Sequence, residues 1–138
     1  MSYSVQNIRN VCLVGHSGNG KTALAESLLF MTGAINRMGN SADGNTVCDY
    51  DPEEIKRKFT ISTSIAPIPY KDYKINVLDT SGHPDFIGDT LATMQAAEMA
   101  LFVVDAVDGP QVMTTKLWRE AEDMRLSRAV YILSLIHI

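Results

Sequence analysis

IRNVCLVGHSGNGKTALAESLLFM, residues 8–31, carries the strongest structural signal in the chain. Ile8 to Val14 is rich in β-branched residues and stops at Gly15, which reads as a strand. Gly15 to Gly20 is a glycine-punctuated loop. Lys21 to Met31 then sets Leu24, Leu28 and Met31 at i, i+4 and i+7, one face of a helix. The opening is therefore strand, glycine loop, helix.

Gly15-His16-Ser17-Gly18-Asn19-Gly20-Lys21-Thr22 fits G-x-x-x-x-G-K-[ST]. The chemistry needs these residue types at this spacing. Glycines let the backbone curl so that successive N–H groups line an anion-sized nest. The helix beginning at Lys21 adds its positive N-terminal end. Lys21 supplies a mobile charge for β- and γ-phosphates, and the Thr22 hydroxyl is a Mg²⁺ ligand. All eight residues are candidate nucleotide contacts, although His16 occupies a variable position and reads as a bystander.

Outward from this unit, residues 33–59 look irregular, with Gly33, Gly39, Gly44 and Pro52, and close on EEIKRK. A loop of that length belongs in a compact domain only if it is functional. Thr60 to Ile68 alternates Ile61, Thr63 and Ile65 with other residues, predicting a half-buried strand. Pro67 and Pro69 cannot donate to a ladder, so the strand belongs at a sheet edge. A turn at Tyr70-Lys71-Asp72 leads into Tyr73 to Leu78, giving an antiparallel hairpin. Asp85 to Glu98 repeats helical spacing through Ile87, Leu91 and Met94. Ala100 to Val104 is an apolar strand, and Val112 to Met124 a helix through Met113, Leu117 and Ala121. A last strand begins near Ala129. The order predicts an α/β fold, a mostly parallel sheet with one antiparallel edge strand, flanked by helices.

Composition sets bounds on function. The 138 residues carry 12 Lys+Arg against 16 Asp+Glu, a formal charge of −4, which gives no footprint for free DNA or RNA. MSYSVQNIRN lacks the apolar core of a signal peptide, and the longest nearly apolar run, Ala129 to Ile138, falls short of the roughly 20 residues that span a bilayer. A soluble, cytoplasmic, monomeric protein without a membrane partner is expected. Cys12 and Cys48 have no Cys or His partner at metal spacing, so a packed thiol and a loop thiol are expected rather than zinc. Trp118 reads as core or interface packing, and Lys56-Arg57-Lys58 as a solvated face.

Leu78-Asp79-Thr80-Ser81-Gly82-His83 ends an apolar strand. Ligands of open α/β sheets bind at the carboxyl ends of strands, where the glycine loop also lies. Asp79 is therefore placed to hold Mg²⁺ through a water, and Gly82 to offer its N–H to a γ-phosphate. GHSGNGKT, the charged stretch leading to Phe59-Thr60-Ile61-Ser62, DTSGHPDF and VVDAVDGPQVMTTKLW together resemble the translation-factor GTPases. The similarity is greatest to elongation factor G and its elongation-factor-G-like relatives, and runs from about Asn7 to Arg128.

The resemblance implies a G domain of the P-loop NTPase class that binds GTP or GDP with Mg²⁺. Residues 33–59 look like the first switch loop, and Thr60 falls on the family's Mg²⁺-binding threonine, which holds when the γ-phosphate is present and lets go after hydrolysis. His83 falls on the histidine that positions the attacking water, and is the implied catalytic residue. The ribosome is the implied partner, in translocation or recycling.

The pattern departs from the family in three places. Ser81 stands where relatives have proline, which predicts a looser turn before His83. Gly18 stands where many have aspartate, pointing toward the elongation-factor-G-like branch. The guanine-reading N-K-x-D motif is absent, and AVYILSLIHI follows Arg128 instead. The expectation is a partial G domain over residues 1–138 with an atypical C-terminus over 133–138, from a frame departure near Leu133 or a truncated gene. Two other classes fit the glycine loop: a P-loop ATPase or kinase, and a nucleotide-binding module without turnover.

Overall fold

The structure is a computed structural model that describes residues 2–134. Five strands form one sheet: β1 (Ile8–Val14), β2 (Ser64–Tyr70), β3 (Tyr73–Asp79), β4 (Met99–Asp105) and β5 (Ser127–Leu133). Four helices accompany them: α1 (Lys21–Met31), α2 (Pro52–Arg57), α3 (Ile87–Ala96) and α4 (Val112–Asp123). The strand order is β2-β3-β1-β4-β5. β1 pairs in parallel with β3 and β4, β4 in parallel with β5, and β2 antiparallel with β3. This is the expected mostly parallel α/β sheet with an antiparallel edge strand. Residues 135–138, most of the segment expected to be atypical, lie outside the described residues.

Successive side chains of a strand point to opposite faces, so the central strands feed two cores. On one face Cys12, Val14, Ala100 and Phe102 meet Met94 of α3 and Met113, Leu117 and Ala121 of α4. On the other, Leu13, Ala66, Ile68 and Val77 meet Ala25 and Leu29 of α1. Trp118 packs on Phe102 with ring centroids 4.9 Å apart, and the Arg128 guanidinium covers its ring at 4.5 Å. Its expected packing role is what the fold gives it.

Three local expectations are corrected. Strand β2 starts at Ser64, and its buried face is Ser64, Ala66 and Ile68, while Ile65 is exposed. Thr60 to Thr63 approach the sheet without pairing because other groups take their N–H donors: the Glu54 carboxylate binds Ile61 and Ser62, and Asp89 binds Thr63. In α1 the buried line runs through Ala25 and Leu29, flanked by Leu24 and Leu28, and Met31 is 80% exposed because it ends the helix beyond the core. The segment 33–59 contains a 3-10 turn at Ser41–Asp43 and the helix α2. Asp51-Pro52-Glu53-Glu54 is a complete capping box with proline in the first turn.

Phe102 is fully buried between two helices, and Met31 is not, so the two sites should respond differently to truncation. Phe102→Ala is expected to cost about 3–5 kcal/mol in urea unfolding, and Met31→Ala to stay within about 0.5 kcal/mol. Comparable losses would contradict the observed core.

Candidate phosphate-binding site

The carboxyl ends of β1 and β3 lie side by side, with Leu13 in register with Asp79. The glycine loop leaves β1, the Asp79–His83 loop leaves β3, and the segment before β2 closes the third side. Between them is a cleft of about 420 Å³ lined by Lys21, Thr22, Asp49, Thr60 and Gly82, among others. A second groove, of about 470 Å³, lies between α4 and β5 over Phe102, Trp118, Val130 and Ile132. Its lining is mostly apolar, so the first cleft is the candidate phosphate site.

In the loops after β1 and β3, Gly15 and Gly82 are required by space. A Cβ on Gly15, at φ +149°, would fall 2.5 Å from the Val103 carbonyl oxygen. A Cβ on Gly82 would fall 2.5 Å from both Lys21 Nζ and the Ser17 nitrogen. The loop after β3 therefore lies directly on the glycine loop, as a residue offering its N–H to a shared ligand must. Ser17 and Gly18 border the cleft, while the Asn19 side chain turns away and donates from Nδ2 to the Val103 carbonyl at 3.2 Å. Gly20 caps the start of α1. His16 Nδ1 is buried without a partner, and the ring takes no part in the hydrogen bonds of the cleft.

Lys21 is buried, and its Nζ donates to the carbonyls of His16 at 2.9 Å and Gly15 at 3.3 Å. Burial lowers its ammonium to about 8, against the charges of Asp79 and Asp49, which raise it. Asp79 is wholly buried, and burial raises it to about 7 although the Thr22 hydrogen bond and Lys21 pull the other way. One of its oxygens, Oδ2, accepts from Thr22 Oγ1 at 2.6 Å; the other, Oδ1, has no hydrogen-bond partner among the described residues.

Thr60 Oγ1 donates to Asp49 Oδ1 at 2.8 Å and stands 2.9 Å from Thr22 Oγ1. A threonine hydroxyl has one proton. With both carboxylates ionised, both protons are taken and the two oxygens face each other lone pair to lone pair. Either a proton on Asp79 or a cation between the oxygens relieves this. Two hydroxyl oxygens and an unpartnered carboxylate oxygen form a hard donor set suited to Mg²⁺. Among the described residues no three His, Cys, Asp or Glu side chains form a metal cage, so phosphate and water would complete the coordination.

His83 stands apart. Its ring stacks on Phe59 at 5.6 Å and tilts against Phe86 at 5.6 Å, and Nδ1 accepts the Asp85 N–H at 3.3 Å. It makes no hydrogen bond to Lys21, Thr22, Thr60 or Asp79. The turn before it is not loose: Ser81 is buried, its Oγ accepts the His83 N–H at 3.3 Å, and its carbonyl accepts the Thr90 hydroxyl at 3.0 Å. A hydroxyl acceptor here supplies the local restraint that a proline ring would give by other means.

Sequence reasoning missed Asp49, Glu26 and Glu54, all buried around the cleft. Only Glu54 had a local signal, its place in the capping box. Cys48, read as a loop thiol, is 1% exposed, and burial pushes its thiol well up; Cys12 is pushed up to about 12 in the same way. Both are inert packed thiols.

Asp79 keeps its proton in the folded chain through a pH range where the unfolded carboxyl has lost it. Its contribution to stability is full below an unfolded value of about 4 and is lost as pH rises through about 7. Asp79→Asn should therefore raise the melting temperature of the metal-free, nucleotide-free chain more at pH 8 than at pH 5. Equal gains at both would contradict the burial of an ionisable Asp79.

Over residues 6–133 the chain matches the family described as the elongation factor Tu GTP binding domain. An elongation factor G-like protein of Mycobacterium tuberculosis is 42% identical over 130 residues, covering 94% of this chain and 18% of the relative. A mitochondrial ribosome-releasing factor 2 of Candida dubliniensis is 36% identical over 124 residues, covering 90% and 15%. A crystal structure from Thermus thermophilus superposes with a TM-score of 0.88 at 42% identity, covering 91% of this chain and 19% of that one. A bacterial selenocysteine-specific elongation factor superposes at 0.76 with 25% identity, covering 100% and 21%. The chain thus spans under a fifth of the curated relatives it matches here. With the family matched over residues 6–133 and a solved structure superposing at a TM-score of 0.88, this chain belongs to the elongation factor Tu GTP binding domain family.

Proposed function

We propose that this chain is the phosphate-binding part of a translation GTPase that hydrolyses GTP on the ribosome, in translocation or recycling. The observation that carries the reading is that Lys21, Thr22 and Thr60 line one cleft, with the two hydroxyl oxygens turned toward each other and the buried Asp79 carboxylate bonded to Thr22 behind them. The printed names of the relatives, elongation factor G-like protein and ribosome-releasing factor 2, support the ribosomal partner. No helix among the described residues is long and apolar enough to cross a membrane. We assign the protein to the cytoplasm, as a monomer.

In this reading the amides from Ser17 to Thr22 and the N-terminus of α1 hold the β-phosphate. Lys21 exchanges the carbonyls of Gly15 and His16 for the β- and γ-phosphate oxygens, so its charge is preorganised in a dry site. Gly82 offers its N–H to the γ-phosphate. Thr22 and Thr60, with Asp79 behind them, would hold Mg²⁺, which would supply charge neutralisation to the phosphates when bound. His83 turns from Phe59 toward the cleft and orients the water that attacks phosphorus. Ribosome contact fixes that turn, so the free protein is a slow hydrolase. The parked ring also favours a second reading, nucleotide binding without turnover.

Protection against thermal unfolding tests the nucleotide. GTP with Mg²⁺ is expected to protect more than ATP, and equal or better protection by ATP would sink the guanine assignment in favour of an ATPase or kinase. Lys21→Ala should weaken GTP binding roughly tenfold or more, the loss of a charged hydrogen-bonding partner. For the reaction, His83→Ala in the longer protein should lower ribosome-stimulated hydrolysis about 10²- to 10⁴-fold. An unchanged rate would favour binding without turnover.

A further inference from the structure

Thr60 reaches the cleft from a segment that has no strand partners, so something else must set its position. Glu54 sits in α2 and is 2% exposed. Its Oε1 accepts the N–H groups of Ile61 at 3.0 Å and Ser62 at 3.1 Å, the two residues after Thr60. Its Oε2 accepts the N–H of Asp51 at 3.2 Å, at the start of α2. One carboxylate therefore closes the loop that runs from Asp51 through the left-handed Lys58 to Ser62. Upstream, Asp49 receives the Thr60 hydroxyl, so Thr60 is held from both sides.

Glu26 performs the matching task at the other end of the segment. It lies in α1, one turn past Thr22, and is 1% exposed. Its two oxygens accept the N–H groups of Gly39 at 2.8 Å and Val47 at 2.9 Å. Burying a carboxylate is unfavourable unless donors surround it, and charge-assisted bonds to backbone N–H groups are the strong kind. Glu54 without Ile61 and Ser62 would be a stranded buried charge, so the carboxylate holds these two residues in place.

We infer that Glu54 is a positioning residue that sets Thr60 in the metal-binding geometry of the cleft by holding the backbone of Ile61 and Ser62. It does not touch the reacting groups and acts through Thr60. The inference rests on the nucleotide reading above for its functional consequence, and on the backbone bonds alone for its structural one.

Both halves can be measured on the full chain. In the nucleotide-free protein, Glu54→Ala should speed hydrogen exchange at the Ile61 and Ser62 amides at least about tenfold, while amides of α1 keep their protection. In nucleotide titrations, the gain in affinity that Mg²⁺ gives a non-hydrolysable GTP analogue should fall about tenfold, the usual effect of removing a residue that orients a metal ligand. GDP affinity should stay the same. Glu54→Gln keeps one accepting oxygen for Ile61 and Ser62 and should restore most of both effects. A general folding defect would weaken GDP and analogue alike and expose α1, and that outcome overturns the inference. So does an unchanged Mg²⁺ gain in Glu54→Ala, or a Glu54→Gln chain as impaired as Glu54→Ala. A wild-type chain that binds neither nucleotide would instead overturn the nucleotide reading, and the exchange rates would still decide whether Glu54 fixes Ile61 and Ser62.

Discussion

The hydroxyl of Thr22 is the point at which the three parts of the cleft meet. It belongs to the helix that follows the glycine loop, it donates to Asp79 at the end of β3, and it faces Thr60 from the long segment before β2. A buried carboxylate needs donors, and Thr22 is the one hydrogen-bond donor Asp79 has among the described residues. That constraint fixes the distance between β1's loop and β3's loop. The parallel pairing of β1 with β3 makes it geometrically possible, because parallel strands bring the same ends together.

The long segment between α1 and β2 shows how a chain without a ladder can still be ordered. Fixing each residue costs about 1–2 kcal/mol of backbone entropy, so a loop of this length needs compensating bonds. Here they come from carboxylates. Glu26 and Glu54 together accept five backbone N–H groups, and Asp49 takes the Thr60 hydroxyl. Each of these two carboxylates is buried and depends on its donors, which ties the ends of the segment to α1 and α2.

Phe59 links this segment to the loop after β3. It precedes Thr60 and stacks on His83, whose other neighbour is Phe86 at the start of α3. Movement of Thr60 and movement of the His83 ring are thus mechanically related through adjacent residues. Asp89 and Thr93 of α3 extend the connection by binding Thr63.

The sequence by itself determined the sheet class, the edge position of β2 and the phosphate loop. Each follows from local chemistry: strand and helix periodicities, prolines that cannot donate, and glycines at fixed spacing before a lysine and a threonine. Asp79 and Gly82 were legible from their place at the end of a strand beside the glycine loop, whereas Thr60 was marked only by the resemblance to translation-factor GTPases. Tertiary structure alone decided that Glu26, Glu54 and Asp49 surround that site. Their partners are backbone N–H groups and a hydroxyl 3 to 21 residues away, and a carboxylate bound to a distant donor leaves no periodicity. The burial of β2 was likewise a tertiary outcome. Its alternation was legible, but which alternate residues face α1 depends on the register against β3, with Ser64 opposite Asp79 and Ala66 opposite Val77.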